Sequence, residues 1–188
     1  MVWLKKILSQ RSLRRHAVLE ALNMAGERIF ISVGTHPQSF ERLVKKMDKL
    51  VAEKKIKARV FAQTGYTDFK PKHFKFKKFL GLNEFEKEIK KASIVITHGG
   101  EGNIGLALKH NKKMIVVPRL KKFNEHTNDH QLELTEAIEK HRKGLAVYDI
   151  NDLEKRLREI KNFKLPGKRE KNKIPGLIEA FLKKEKMI

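Results

Sequence analysis

Short, continuous runs of apolar residues recur along the chain, and each ends at a glycine, a proline or a polar turn. The clearest runs are residues 29–33, 60–64, 94–97 and 114–117. Such runs are typical of strands that are buried on both faces of a parallel sheet. Helical spacing predicts helices at 38–55, 84–91, 103–110, 128–141 and 152–161, with further short strands near 74–80 and 145–148. The alternation predicts an α/β fold: a Rossmann-like open parallel sheet with helices on both faces.

The predicted sheet domain occupies residues 28–162 of a chain of 188. Residues 1–27 are predicted to form a basic amphipathic helical extension, in which Trp3 and Ile7 lie one helical turn apart. Residues 163–188 are predicted to be a basic linker followed by a last helix. We therefore expect one domain with a helical appendage at each end.

The chain is strongly basic, with 43 lysines and arginines against 22 acidic residues and a formal charge of +21. Such an excess attracts nucleic acid, acidic lipid headgroups or phosphorylated ligands. Part of it lies in residues 69–79, which contain five lysines and no acidic residue. We expect these lysines to face an anionic membrane surface. The alternative is a basic nucleic-acid-binding protein with Phe74 and Phe76 stacked on bases, but no RNA-binding signature is matched.

The chain contains no cysteine, which excludes disulfides, thiolate metal sites and cysteine nucleophiles. No apolar run approaches the roughly 18–20 residues that span a bilayer. The first residues also lack the long apolar stretch of a secretory signal. These features predict a cytoplasmic protein that is peripherally associated with the membrane through a partner.

Two loops with glycines follow predicted strands and precede predicted helices. The first contains Gly34, Thr35 and His36, and the second consists of His98, Gly99, Gly100, Glu101, Gly102 and Asn103. Ligands of open parallel sheets bind beyond the carboxyl ends of the strands, where helix starts offer N–H groups to an anion. Neither loop matches a Walker or a dinucleotide-binding motif. The second loop predicts a phosphate site with His98 and Asn103 as side-chain donors, and turn glycines without a ligand are the alternative.

A polar segment follows the run at 114–117 and begins the next predicted helix. It contains Asn128, Asp129, His130 and Gln131. Amide and carboxylate groups at one helix start can hydrogen-bond several hydroxyl groups, which suits a sugar. Helix capping by Asn128 or Asp129 is the alternative. His126 and His130 lie four residues apart but lack a third ligand at a set spacing, so no metal site is predicted.

Taken in order, these segments resemble the donor-binding C-terminal domain of glycosyltransferase family 28. The resembling residues are 31–36 with Phe40, 97–102, 115–119 and 128–134, within about residues 29–150. The likeness is greatest to the soluble subunits of two-part transferases. One is the cytosolic subunit of the eukaryotic enzyme that adds the second N-acetylglucosamine to the dolichol-linked precursor; others are bacterial and archaeal exopolysaccharide or glycolipid subunits. The resemblance implies one half of a GT-B fold.

The resemblance also implies a function. Residues 98–103 would hold the diphosphate and ribose of a UDP-sugar, residues 129–131 would face the sugar hydroxyls, and Gly34 with Thr35 would border the cleft. The expected reaction transfers a hexosyl group, with N-acetylglucosamine as the expected sugar, to a lipid-linked acceptor. The resemblance implies a membrane-anchored, acceptor-binding partner subunit and no metal or other cofactor.

One position departs from the family, because Leu106 stands where a glutamate often binds the ribose. Leucine cannot hydrogen-bond a diol. Either Glu101 substitutes, or nucleotide binding is weak, or the chain is a non-catalytic UDP-sugar-binding regulatory subunit.

The expected chemistry is an in-line displacement at the anomeric carbon with UDP leaving. Helix-start amides and His98 would stabilise the departing diphosphate. A general base must deprotonate the acceptor hydroxyl. His36 is the residue of this chain proposed for that catalytic role, whereas the resemblance places the base in the partner.

Overall fold

The computed structural model describes residues 26–165. The strands are β1 (Arg28–Ser32), β2 (Arg59–Gln63), β3 (Lys75–Lys77), β4 (Ile94–Thr97), β5 (Lys113–Val116) and β6 (Leu145–Ala146). The helices are α1 (Glu41–Ala52), α2 (Leu82–Lys91), α3 (Glu101–Lys109), α4 (His130–Lys140) and α5 (Leu153–Asn162), with single 3-10 turns at Lys121–Phe123 and Ile150–Asp152. The predicted N-terminal extension and C-terminal helix lie outside the described residues.

All six strands run parallel in one sheet with the order β3-β2-β1-β4-β5-β6. The chain builds outward from β1 to β3 and then returns to place β4 on the other side of β1. The order therefore reverses between β1 and β4, and the loops that leave these two strands diverge to opposite faces. Such a reversal is where open α/β sheets bind ligands. The predicted Rossmann-like fold is confirmed.

Helices cover both faces of the sheet because the central strands are apolar on both sides. Ile29 and Ile31 of β1 pack into a core cluster with α1 and α5. Phe30, between them, points to the other face and joins a second cluster with α2, α3 and α4. Each fully buried side chain of this kind contributes roughly 1.5–3 kcal/mol. The continuous apolar runs of the sequence thus correspond to strands that are buried on both faces of the sheet.

Several element ends differ from the sequence-based expectations. Helix α1 is shorter than the predicted 38–55, and the chain beyond it turns through Lys54, whose φ of +56° is left-handed. The strand expected near 74–80 is reduced to three residues. The helix predicted at 152–161 begins at Leu153 and has no side-chain cap; the 3-10 turn before it is capped by Asp149, whose carboxylate accepts a hydrogen bond from Asn151 N at 2.9 Å.

The edge strand β3 explains part of the lysine-rich stretch. Lys75 and Lys77 are exposed, whereas Phe74 and Phe76 are half-buried and pack against the first core cluster. Exposed lysines on an edge strand prevent pairing with another sheet. The two phenylalanines therefore pack against the core, which leaves only part of each ring for the base stacking that the nucleic-acid alternative requires. None of the helices in residues 26–165 has the length and apolarity to cross a bilayer.

Candidate functional site

Three loops meet at the carboxyl edge of the sheet, around the point where the strand order reverses. They follow β1 (residues 33–40), β4 (98–100) and β5 (117–129). Their floor is formed by Ser32 and Thr97, the last residues of β1 and β4, which are neighbours in register. The structure therefore brings the predicted glycine loops and the polar segment to one edge of the molecule.

The glycines of the first two loops make room for the imidazole ring of His98. Gly34 has a φ of +81°, and a Cβ atom there would lie 2.5 Å from Cε1 and Nε2 of the ring. A Cβ atom on Gly100 would lie 2.2 Å from Nε2. Real Cβ atoms do not approach so closely, so the ring is enclosed between two positions that only glycine can occupy.

The enclosed ring is a neutral imidazole that is held at the floor of the site. Desolvation lowers the pKa of His98 to about 3, and the positive charge of Arg119 acts in the same direction. Asn103, from the first turn of α3, donates its Nδ2 to Ser32 Oγ at 2.8 Å and to Thr97 Oγ1 at 3.1 Å. Asn103 thereby ties the start of α3 to the ends of β1 and β4.

Lowering the pH below 6.5 should destabilise the folded chain, in a pH range where few carboxylates titrate. His98 has a pKa near 6.5 when unfolded and about 3 when folded, so between these values the unfolded chain binds the extra proton. The free energy of unfolding should therefore fall by about 1.4 kcal/mol per pH unit below pH 6.5. Urea unfolding between about pH 7.5 and 5 measures this slope.

His98→Asn should flatten the slope, whereas His141→Asn, at the exposed end of α4, should leave it unchanged. His36 adds to the slope in the same direction, because burial lowers its pKa as well. A wild-type free energy of unfolding that stays constant across this range would contradict the enclosed neutral ring.

Gln131 joins the second and third loops through the backbone. Its Oε1 accepts a hydrogen bond from Gly99 N at 3.1 Å and another from Arg119 N at 3.0 Å. A Cβ atom on Gly99 would lie 2.7 Å from Gln131 Cβ, so this glycine also serves a close approach. The side-chain amide oxygen of Gln131 thus accepts two hydrogen bonds from the protein itself. The role of Gln131 toward sugar hydroxyls stays a prediction.

The rest of the polar segment lies more openly at the start of α4. Asp129 and His130 are exposed. Asp129 Oδ1 accepts from Lys121 N at 2.8 Å, and Asn128 Oδ1 accepts from His130 N at 3.3 Å. Asp129 occupies the N-cap position of α4 but makes no side-chain capping bond there. The capping alternative thus holds only for Asn128, in a three-residue turn.

A buried arginine, which the sequence analysis did not assign to the site, fixes the first loop to the third. Arg119 is fully buried and donates to the carbonyl oxygens of Val33 (2.7 and 3.1 Å), Gln38 (2.6 Å) and Glu125 (2.9 Å). Its guanidinium lies 4.9 Å from the ring centre of Phe40. Burial lowers the pKa of Arg119 to about 10, partly opposed by Glu125, so the group is charged at neutral pH.

Glu125 supplies the negative charge of this buried network. Its carboxylate accepts a bidentate pair from Arg42 Nε and Nη2, both at 2.9 Å, and Leu120 N at 3.1 Å. Arg42 also donates to the carbonyl oxygen of Pro118 at 2.9 Å. The loop after β5 is therefore anchored to helix α1. The sequence gives one local indication of this buried network, which is the arginine directly after the apolar run that ends in Pro118.

Two further histidines meet above this network. The ring centres of His36 and His126 lie 4.3 Å apart, with an interplanar angle of 31°. Burial lowers the pKa of His36, followed by the effects of His126 and Arg119. His36 is therefore a neutral imidazole at the edge of the site, and its role as catalytic base stays a prediction.

The sequence model of the glycosyltransferase family 28 C-terminal domain matches residues 28–185. The chain belongs to this family. No curated protein matches the sequence significantly.

Solved structures share the fold of this family 28 domain. The glycotransferase of kitacinnamycin is 19% identical with a TM-score of 0.53, covering 84% of this chain and 38% of its own. CalG4, the calicheamicin glycosyltransferase, is 13% identical (TM-score 0.52; 84% and 44% covered), and SnogD from Streptomyces nogalater is 13% identical (TM-score 0.50; 86% and 43%). The chain spans about two fifths of each structure and corresponds to one Rossmann-like half of these GT-B glycosyltransferases.

Leu106 is partly buried in this family 28 domain and packs against the second core cluster. It lies on α3, one turn beyond Asn103. Glu101, in the first turn of the same helix, is half-buried and is placed closer to the strand ends. The structure thus gives Leu106 a packing role, and Glu101 is the acidic residue at the start of α3.

Large exposed apolar side chains collect along the same edge of the family 28 domain. Among the described residues they are Tyr66, Phe79, Leu82, Phe123 and Tyr148. Each follows the carboxyl end of a strand, and Leu82 is 89% exposed. Tyr66 and Phe79 contact each other edge to face, with ring centres 5.1 Å apart.

Proposed function

We propose that this chain is the donor-binding half of a glycosyltransferase that moves a hexosyl group from a UDP-sugar to a lipid-linked acceptor. A second, membrane-anchored chain or domain binds the acceptor. The observation that carries the proposal is the convergence of three loops around the start of α3, at the strand reversal of a family 28 domain. N-acetylglucosamine is the proposed sugar.

The start of α3 suits the diphosphate. Its N-cap is Gly100, no side chain caps it, and Gly102 in its first turn has open space around the Cβ position. First-turn amides and the helix dipole favour a negative charge there without a metal. The neutral ring of His98 and the bonds of Asn103 hold this helix end still, so the amides are oriented before the ligand arrives.

The start of α4 suits the sugar. The bond from Lys121 N fixes one carboxylate oxygen of the exposed Asp129, and the other oxygen is proposed to accept a sugar hydroxyl. His130 lies beside it. Gln131 contributes by holding the loops in register. Because Leu106 cannot hydrogen-bond hydroxyl groups, Glu101 is the proposed partner of the ribose hydroxyls.

The exposed apolar edge supports a second half. The chain spans about two fifths of each of the GT-B structures that it resembles. Tyr66, Phe79, Leu82 and Phe123 lie along the edge that faces the cleft in such a two-part arrangement. Burying them would stabilise the complex. The acceptor-binding half is also the proposed source of the general base, with His36 as the alternative.

The basic surface supports membrane association. Lys70, Lys72 and Lys78 are exposed beside the edge strand β3. Each lysine near an anionic membrane contributes about 1 kcal/mol. A cavity of about 410 Å³ at the other end of the sheet is also bordered by Arg28, Arg59 and Lys75.

Gly102→Asp tests the proposed diphosphate position without disturbing the fold. The new side chain meets nothing within 4 Å, and an acidic group in the first turn of a helix favours its formation. We expect thermal stability to be unchanged or raised, while calorimetry shows at least about a tenfold loss of UDP-GlcNAc affinity, equivalent to about 1.4 kcal/mol.

Gly102→Asn is the matched neutral control and should retain most of the affinity. Equal affinity of the Asp and Asn variants would contradict the placement of the diphosphate. No UDP-GlcNAc binding by the wild-type chain at millimolar ligand, even with a partner half present, would overturn the proposed function. UDP binding without transfer by the reconstituted pair would favour the non-catalytic regulatory subunit.

A further inference from the structure

The two stacked histidines have their hydrogen-bonding direction set by the backbone. His36 Nδ1 lies 3.3 Å from Gln38 N, and His126 Nδ1 lies 3.3 Å from Asn128 N. Each N–H donates to Nδ1, so that nitrogen carries no proton. In the neutral ring the proton is therefore on Nε2. The loops after β1 and β5 thus bring together two rings whose centres lie 4.3 Å apart and whose Nε2–H groups are not used by these backbone bonds.

Burial and positively charged neighbours act on His36. Burial lowers the pKa of His36, and His126 and Arg119, both after β5, act in the same direction. Glu125 is the acidic residue of the Arg119 network, and Arg42 of α1 takes its carboxylate. Protonation of His36 is therefore disfavoured in the absence of an anion.

A phosphate group would reverse this balance. Its oxygens accept hydrogen bonds from both Nε2–H groups, and its negative charge offsets the repulsion between protonated rings and Arg119. Binding of an anion and binding of a proton then favour each other, because each lowers the cost of the other.

We propose that His36 and His126 form a proton-linked phosphate clamp, which takes up a proton when a phosphate-bearing ligand binds at the Nε2 edges. The clamp rests on the proposed function, since its ligand there is the diphosphate of the donor. It assigns His126 a binding role, and it makes His36 a hydrogen-bond donor to the ligand in place of a base.

Calorimetry of the full chain with UDP-GlcNAc tests the proton uptake. UDP-GlcNAc has no group that titrates between about pH 5 and 8, so protons taken up on binding come to the protein. Measured in buffers of different ionisation enthalpy near pH 7, the wild-type chain should take up between about half a proton and one proton. Its affinity should rise as the pH falls toward about 6.

His126→Gln should lower the proton uptake by at least half and the affinity by about fivefold or more. His36→Gln should do the same, whereas a base role for His36 would lower turnover and leave affinity unchanged. His141→Gln, at the far end of α4, is the matched control and should behave like the wild type. Binding without proton uptake, or equal uptake by the His126→Gln variant, would overturn the clamp.

Imidazole NMR separates the clamp from the proposed function. In the ligand-free chain both rings should show the Nε2–H tautomer, and inorganic pyrophosphate should raise the pKa of His36. If pyrophosphate has this effect while UDP-GlcNAc does not bind, the clamp is supported and the proposed function is wrong. If pyrophosphate leaves the titration curve of His36 unchanged, the clamp is wrong.

Discussion

Replacing Gly34 with alanine is expected to lower the free energy of unfolding by about 2–5 kcal/mol. The φ of +81° strains any residue with a Cβ atom by about 1–2 kcal/mol. The new methyl group would also lie 2.5 Å from the His98 ring, and overpacking of this kind costs about 1–3 kcal/mol. Urea unfolding at pH 7.5 measures the sum.

Other glycines of the chain separate the two contributions. Gly26→Ala adds only backbone strain, since its φ is +97° and nothing lies within 4 Å. Gly100→Ala adds only the collision with His98, and Gly102→Ala in α3 adds neither. In a His98→Ala background, Gly34→Ala should cost about as much as Gly26→Ala. If Gly34→Ala already costs no more than that in the wild-type background, the ring is not enclosed.

Arg119→Met is expected to destabilise the protein by about 3–5 kcal/mol and to abolish donor binding. Methionine fills a similar space, but the carbonyl oxygens of Val33, Gln38 and Glu125 lose their donor. An unpaired buried polar group costs about 1–3 kcal/mol. With the first and third loops released from each other, the site loses its fixed shape. Urea unfolding and UDP-GlcNAc calorimetry measure the two effects.

Arg119→Lys keeps the charge but replaces the planar guanidinium, which donates from three nitrogens, with a single ammonium nitrogen, so it should recover only part of the stability. Arg59→Met, at the opposite end of the sheet, removes an exposed arginine and should change the free energy of unfolding by no more than about 0.5 kcal/mol. A similar, small effect of Arg119→Met and Arg59→Met would show that the buried guanidinium does not hold the loops.

The sheet was predictable because strands buried on both faces leave a local pattern of continuous apolar residues. The convergence of the loops followed from the parallel direction of the strands. The roles of individual loop residues were not predictable in the same way. Gly34 suggests close approach of a ligand, yet the group that approaches it is His98, which is 64 residues away in the sequence.

The burial of Arg119 could not be predicted from its local sequence either. An arginine after a buried strand suggests an exposed cation, because arginine is rarely buried fully. Its burial depends on two carbonyl oxygens from the loop after β1, one from its own loop, and the ring of Phe40. These partners come together only in the folded chain. The pairing of His36 with His126 is likewise a product of two loops that are separated by 90 residues.

The hydrogen bonds that join the three loops affect which positions of the site can change in sequence. Arg119 and Gln131 grip peptide groups, whose chemistry is the same for every amino acid. Exposed neighbours such as Thr35 and Thr127 can then be exchanged without loosening the scaffold. Natural drift, or a directed library at these positions, is therefore expected to change the proposed sugar preference while the underlying framework stays intact.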